Sequence, residues 1–414
     1  MSSARRGLWR DWNYAIYASG NAVSYLGTWA QRIGVGWLSW DLSHQTFWVG
    51  AISLAQLLPL VVFGPLFGAL LDRHDRRRYA VGVNVALALL ALVLYALTAN
   101  HVMTIWWLGL MALALGVANA AFQAVRLAII NDIVEPHDLP AAIAFNSLIY
   151  NLTRALGPAL AGIVIARWGI EASFAVNALS FLGILAALFR VHLRPHVIQP
   201  SSRGLWADSL AGLRYVLDHA GLRQLVLLAG ITSIFARGVM ELLPAFADLV
   251  YARGSVGLAN LTTAAGVGAI LGALILSRTP SGPRLFRLTR YSVLAFGVTV
   301  AAFGLCGAYW AGLVVAAVVG GNIVLCSVAL QVLVQSAVED GFRGRVMGLW
   351  TAVNVAGPGI GGALDGALAH FLGLRTVTVA GGLSCVLLVA WAMPHRGPLR
   401  VERSLGAKRA VETR

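Results

Sequence analysis

Apolar residues run along this chain in long blocks, not in the alternating or one-faced patterns of water-soluble strands and helices. Stretches such as 79–99 and 311–336 contain no charged residue at all. Each is long enough to cross a bilayer core of roughly 30 Å, which takes about 20 helical residues. Taken between charged or Pro/Gly breaks, the blocks predict spans at 13–40, 46–70, 79–99, 103–125, 140–166 and 171–190, then at 222–250, 257–277, 290–309, 311–336, 346–369 and 372–393. Prolines inside them (Pro59, Pro65, Pro158, Pro244, Pro358) are acceptable in membrane helices, because neighbouring helices re-satisfy the freed backbone groups.

Charge placement orients the spans. By this placement about 25 of the 31 basic residues fall in the termini and in alternate connections, and about three (Arg167, Arg253, Arg375) in the opposite ones. The excess of bases predicts two cytoplasmic termini and an even number of spans. The N-terminal stretch 1–12 runs straight into the first span with no small-residue cleavage site, so a retained helix is expected instead of a signal peptide.

The longest polar connection, 191–221, divides the chain into an N-terminal half (13–190) and a C-terminal half (222–393), leaving 394–414 as a tail. The fragment Gly157-Pro158-Ala159-Leu160-Ala161-Gly162 reappears as Gly357-Pro358-Gly359-Ile360-Gly361-Gly362, and Gly64-xxx-Gly68-Ala69-Leu70 as Gly268-xxx-Gly272-Ala273-Leu274. Both repeats point to two six-span halves of common origin. Halves related by an axis along the membrane normal place a substrate site between them, near mid-bilayer. Within the central connection, 205–214 reads either as an amphipathic helix on the cytoplasmic face or as plain linker.

Composition agrees. Hydrophobic residues make up 58% of the chain, charged residues 12%, and the mean hydropathy is +0.76. Soluble domains carry about a quarter of their residues charged. The net charge of +14 would suit a nucleic-acid ligand, but the bases lie in short clusters between apolar blocks, so no nucleic acid is expected. Cys306, Cys326 and Cys385 sit singly in apolar runs and imply neither a disulfide nor a metal site. With no phosphate-binding G-x-x-x-x-G-K loop, no Ser/His/Asp group and no metal spacing, neither ATP-driven transport nor an intramembrane enzyme is expected, and no cofactor. The tryptophans mostly mark helix ends, as an interfacial belt does.

After the second span the chain reads Gly68-Ala69-Leu70-Leu71-Asp72-Arg73-His74-Asp75-Arg76-Arg77-Arg78. This resembles the signature loop of the major facilitator superfamily. Tyr25-Leu26-Gly27-Thr28-Trp29-Ala30-Gln31-Arg32, Gln56-Leu57-Leu58-Pro59, Asn146-Ser147-Leu148, Arg154-Ala155-Leu156-Gly157-Pro158 and Arg343-Gly344-Arg345-Val346-Met347-Gly348 resemble the branch that holds enterobactin exporters and macrolide efflux pumps. The resemblance covers both halves. It implies an all-α fold of twelve transmembrane helices, multi-pass in a bacterial inner membrane, working as a monomer with a small-molecule substrate and protons. It also implies that Gly68, Asp72, Arg73, Arg76 and Arg77 form a latch closing the cytoplasmic side. Their arginines have Asp132, Glu135 and Asp138 within reach on another loop, although topology alone also accounts for a basic cluster there. Gly157, Pro158 and Gly162, following Arg154, resemble an antiporter signature; ordinary small-residue packing reads equally from the same residues.

A charge near mid-bilayer costs about 2.5–3.5 kcal/mol on insertion scales, so one that is present faces a partner or water. Arg32, Arg154, Arg237 and Glu241 fall inside spans, with Asp365 in reserve nearer a span end. Arg237 and Glu241, four apart on one helical face, are expected to pair with one another, either as a structural ion pair or with Glu241 carrying a coupling proton. The function expected is export of small amphipathic molecules (drug, macrolide or siderophore-like) by proton antiport and alternating access. Lipid, lysolipid or metabolite movement, and a non-transporting sensor or partner subunit, remain as alternatives.

Overall fold

The computed structural model describes residues 12–71, 74–135, 137–194, 205–279 and 282–393, and all regular structure among them is helical. Six long helices come first: α1 (Trp12–Ser43), α2 (Thr46–Leu71), α3 (Arg76–Ala99), α4 (Ile105–Ile133), α5 (Leu139–Trp168) and α6 (Ile170–Arg190). A shorter α7 (Leu205–Asp218) precedes α8 (Ala220–Phe235). After α8 the chain passes through a 3-10 turn (Gly238–Leu242), the three-residue α9 (Leu243–Ala245) and a π turn (Phe246–Val250). Five long helices close the fold: α10 (Gly254–Ser277), α11 (Pro283–Leu305), α12 (Tyr309–Ala337), α13 (Arg343–Leu372) and α14 (Leu374–Ala392).

Ten segments among the described residues are long and apolar enough to cross a membrane, so this is a multi-pass membrane protein. The two expected spans outside that set are α1 and α13. They are 32 and 30 residues long, but each carries polar groups along its length. In α1 these groups are turned inward. Asn21 donates to Asn146 Oδ1 at 2.8 Å on α5, and Gln31 accepts from Asn177 at 2.8 Å on α6. Polar residues paired between helices lower hydropathy without being exposed to lipid.

Two hydrophobic cores organise the packing. One is built only from residues between Tyr14 and Val191. The other runs from Val216 to Met393 and takes in Ala30, Ile33, Trp37, Trp40, Val49, Ala161 and Ile165 from α1, α2 and α5. In the first half α1 packs on α5 and α6, and α2 on α4; in the second, α8 packs on α13 and α14, and α10 on α12. Across the halves, α2 lies against α13 and α5 against α10. The two halves also turn the same corner. Gly169 joins α5 to α6 at φ 86°, and Gly373 joins α13 to α14 at φ 82°, a backbone region that side chains with a Cβ avoid.

The helices overrun several boundaries expected from sequence. α11 begins at Pro283, not near 290, because Arg284, Arg287 and Arg290 sit on its first turns instead of ending it. α4 runs on to Ile133, which brings Arg126 inside the helix. Segment 205–214 is helical within α7. Calls on 1–11, 195–204 and 394–414 lie outside the described residues.

The glycine repeat is used differently in the two halves. A Cβ on Gly268 would overlap the carbonyl of Ala317, and one on Gly272 would come 2.6 Å from the Gly321 oxygen, so α10 and α12 touch through their backbones. Gly64 and Gly68 have nothing within 4 Å. Gly268→Leu is therefore expected to abolish the monodisperse peak in detergent gel filtration, whereas Gly64→Leu keeps it.

Candidate functional site

Among the described residues, the seventh hydrophobic segment is where the bundle gives up α-helix in mid-span. Helix α8 ends at Phe235, and the stretch to Val250 is 3-10, a single α turn and π. Gly238 permits this by close approach, since a Cβ there would lie 2.6 Å from the carbonyl carbon of Gly361 on α13. Irregular backbone at membrane depth is tolerated where it is buried in protein or lines a polar cavity, and π turns recur at functional sites.

That break overturns the expected Arg237–Glu241 pair. Four residues apart is one face only in a continuous α-helix, and here the helix changes type between the two. Arg237 instead turns to α13, donating to Asn354 Oδ1 at 3.1 Å and to its carbonyl at 3.3 Å. Glu241 turns to the other half, where Arg32 of α1 donates to it at 3.0 Å and Ser53 of α2 at 2.6 Å. One carboxylate thus ties α1 and α2 to the broken segment. Arg32 also lies over the Trp29 ring at 5.4 Å and keeps 42% of its side-chain exposure between buried Gln31 and Ile33.

Arg154, midway along α5, has no hydrogen-bond or carboxylate partner among the described residues. It lies within electrostatic range of Arg32 and Arg237, with Tyr150 near all three. Sequence reasoning missed Arg126, which was counted as a loop base. It sits on α4, hydrogen-bonded to the Tyr25 hydroxyl and stacked near the Tyr25 and Tyr150 rings at 5.5 and 5.8 Å. The apolar run that resumes after it, Leu127 to Ile130, was the available signal. Asp365 stays apart from this group. It lies on α13 facing α14, with Oδ1 3.9 Å from where a Cβ on Gly381 would stand.

Asp72 and Arg73 lie outside the described residues. Beside them Asp75 caps α3 by accepting from Arg78 N at 2.7 Å. Arg76 pairs with Asp132 at 2.7 Å, both side chains nearly buried, and Arg77 donates to the Val191 carbonyl. These bonds hold the start of α3 to the ends of α4 and α6. Gly68 faces open space. In the antiporter-like motif, Gly157 lets Trp29 of α1 press on α5, and Gly162 meets Ala259 of α10 across the halves, with Pro158 buried between them. Gly357 admits Ser233 of α8 in the same way. The repeated motif is thus a packing device in both halves.

Bonds between the halves gather at the end of the bundle where α1 finishes. Trp40 donates to Asp248 at 2.9 Å and Thr46 to the Gly366 carbonyl at 2.8 Å, beyond the Arg32–Glu241–Ser53 junction. Gly50 touches Gly362 there, and Gly359 approaches Leu54 and Leu57. Toward the other end the same helices carry Gly64, Gly68, Gly344 and Gly348, none with an atom within 4 Å of an added Cβ.

Two cores around a charged, helix-broken seam define a membrane transporter of the major facilitator superfamily, not an enzyme. The chain belongs to the transmembrane secretion effector family, whose model matches residues 10–410. It is 22% identical to the staphyloferrin A transporter of Staphylococcus aureus over 398 residues, covering 94% of this chain and 98% of the relative. It is 21% identical to macrolide efflux protein A of Streptococcus pyogenes over 391 residues, covering 92% and 95%. It is 27% identical to the enterobactin exporter EntS of Escherichia coli over 351 residues, covering 84% and 83%. Its fold matches a bacterial homologue of the human lysosomal transporter Spinster in an inward-facing, unoccupied conformation. That match has a TM-score of 0.71 at 14% identity, over 98% of this chain and 99% of the other.

The Arg76–Asp132 pair yields a direct test. Removing one partner of a nearly buried ion pair leaves a charge uncompensated and costs about 3–5 kcal/mol. Asp132→Ala and Arg76→Ala are each expected to destabilise on that scale in mixed-micelle denaturation. The double variant should lose clearly less than their sum.

Proposed function

We propose that this protein exports small amphipathic molecules from a bacterial cytoplasm in exchange for protons, by alternating access and as a monomer. Twelve spans form two halves, 13–190 and 222–393, joined by 191–221, with both termini cytoplasmic in the inner membrane. The observation that carries the reading is the junction of Arg32 and Ser53 with Glu241 across the halves at the broken helix. Discontinuous helices of this kind form substrate and ion sites in transporters. The names of the macrolide and enterobactin relatives support the outward direction.

With α1 starting in the cytoplasm, the halves are sealed at the outer end and part toward the cytoplasm, which is the state that loads an exporter. Glu241 is the lock of that state. Its charge holds Arg32, and its oxygens hold Ser53. A proton on Glu241 undoes the ion pair; a ligand group on Arg32 competes for the same guanidinium. The empty, unprotonated carrier is held still, and movement requires one load or the other. That condition is what makes exchange obligatory. At the cytoplasmic end, Asp72 and Arg73 with Gly68, Arg76 and Arg77 serve as the latch that closes when the outer end opens.

Everted vesicles test both gates, using dye efflux driven by an imposed proton gradient. Glu241→Gln is expected to lose gradient-driven accumulation by at least about tenfold while keeping downhill exchange. Full accumulation with unchanged pH dependence would remove Glu241 as the proton carrier. Asp72→Asn is expected to abolish transport at normal expression, and normal transport by that variant would remove the latch.

A further inference from the structure

The charges of the seam do not balance. Four guanidinium groups, on Arg32, Arg126, Arg154 and Arg237, meet one carboxylate, Glu241, and Arg32 alone bonds to it. The other acids near the interior do not answer these charges: Asp132 is taken by Arg76 and Asp248 by the Trp40 indole at the sealed end, while Asp365 stands beside α14 in its own half with no bond to any of the four arginines. Among the described residues Arg126 and Arg237 bond to neutral partners, a phenol and an amide, and the Arg126 Nε is buried without one. Arg154 has none among the described residues. Positive-inside topology does not explain them, because Arg154 lies at the middle of a 30-residue helix and each such charge is costly in the membrane. A surplus of this kind is stable in a wetted seam and becomes favourable when an anion enters it.

Beside the guanidinium groups runs a lane of aromatic rings. Tyr25 and Tyr150 meet edge to face at 5.4 Å between centroids, and Trp29 and Tyr150 lie 6.3 Å apart. The arginine fork suits carboxylate, sulfonate and phosphate groups, and the rings suit a flat apolar body.

Resting on the transporter reading, we infer that the ligand is an amphipathic anion, its acidic group held by Arg154 and Arg237 and its apolar body laid along the half-buried Trp29 and Tyr150, with buried Tyr25 backing them. Such a ligand draws Arg32 away from Glu241 by offering it a second anion, so the site and the lock are one device. Cationic amphiphiles are disfavoured because they add like charge to the seam.

The test uses two dyes with the same xanthene skeleton and opposite charge, carboxyfluorescein and the cationic ethyl ester of rhodamine. Binding is read by fluorescence polarisation on the full-length protein in phosphatidylcholine nanodiscs. Carboxyfluorescein is expected to bind at least about tenfold tighter than the rhodamine ester, since only the anion forms charge-assisted bonds to the guanidinium groups. Arg154→Gln should erase most of that preference, and Arg154→Lys should retain most of it. Equal or tighter binding of the cation, no binding of either dye, or an Arg154→Gln variant with wild-type preference would overturn the inference. Proton-driven flux in proteoliposomes separates it from the export reading. Flux of both dyes without charge preference removes the anion site and leaves the exporter; anion-selective binding without gradient-driven flux does the reverse.

Discussion

In lipid every backbone N–H and C=O must find its partner inside the protein, and from this one constraint the rest of the molecule follows. It makes long α-helices the default, and it makes any interruption in mid-span expensive unless the exposed groups are covered or wetted. This chain interrupts one of its spanning segments between Phe235 and Val250, and places Arg237 and Glu241 inside the interruption. The cost of the break is offset by what packs on it. Gly238 lies against the Gly361–Gly362 backbone, and Glu241 takes bonds from Arg32 and Ser53. The broken helix, the ion pair and the contact between halves are therefore one structural event.

Close approach of helices depends on small residues, because lipid supplies no hydrophobic drive for them to associate. The contact of α2 with α13 runs through Gly50, Gly362 and Gly366, and that of α5 with α10 through Gly162 and Ala259. These contacts bring backbones together without interlocking large side chains. Beside them Ile33, Trp37 and Trp40 of the first half enter the core of the second. The contrast lies within the second half, where Gly268 and Gly320 join α10 to α12 through two backbone contacts that leave no room for a Cβ. Glycine thus serves the contact between halves in one place and the packing within a half in another.

Much of this was legible in the sequence. Block hydropathy located the helices, mostly to within a few residues, and the Gly-Pro repeat between α5 and α13 corresponds to matching contacts, Gly157 on Trp29 and Gly357 on Ser233. The loop arginines also found an acid in reach, Arg76 with Asp132. Pairing across the halves was not legible. Periodicity along one segment assigned Arg237 to Glu241, because spacing reports partners only while the helix continues. The true partners of Glu241 are 209 and 188 residues away in sequence, and no local pattern encodes them. Arg126 was misplaced for a related reason. A basic residue at the end of an apolar block reads as a topology signal, and only the continuation of α4 through Ile133 shows that the helix goes on past it.

The two ends of the bundle follow different physical logic. At the end where α1 finishes, an ion pair, an indole–carboxylate bond and a hydroxyl–carbonyl bond span the halves. At the other end, the first half fastens its own loop through Asp75, Arg76 and Arg77. The corresponding stretch of the second half offers Arg278, Arg284 and Arg287 without an acid in that sequence between Ser277 and Arg290. Acids stand in only one of the two related stretches, so they cannot be held in the same way. The halves repeat a glycine pattern but carry their charges unequally, so the two ends of the bundle are held by different chemistry.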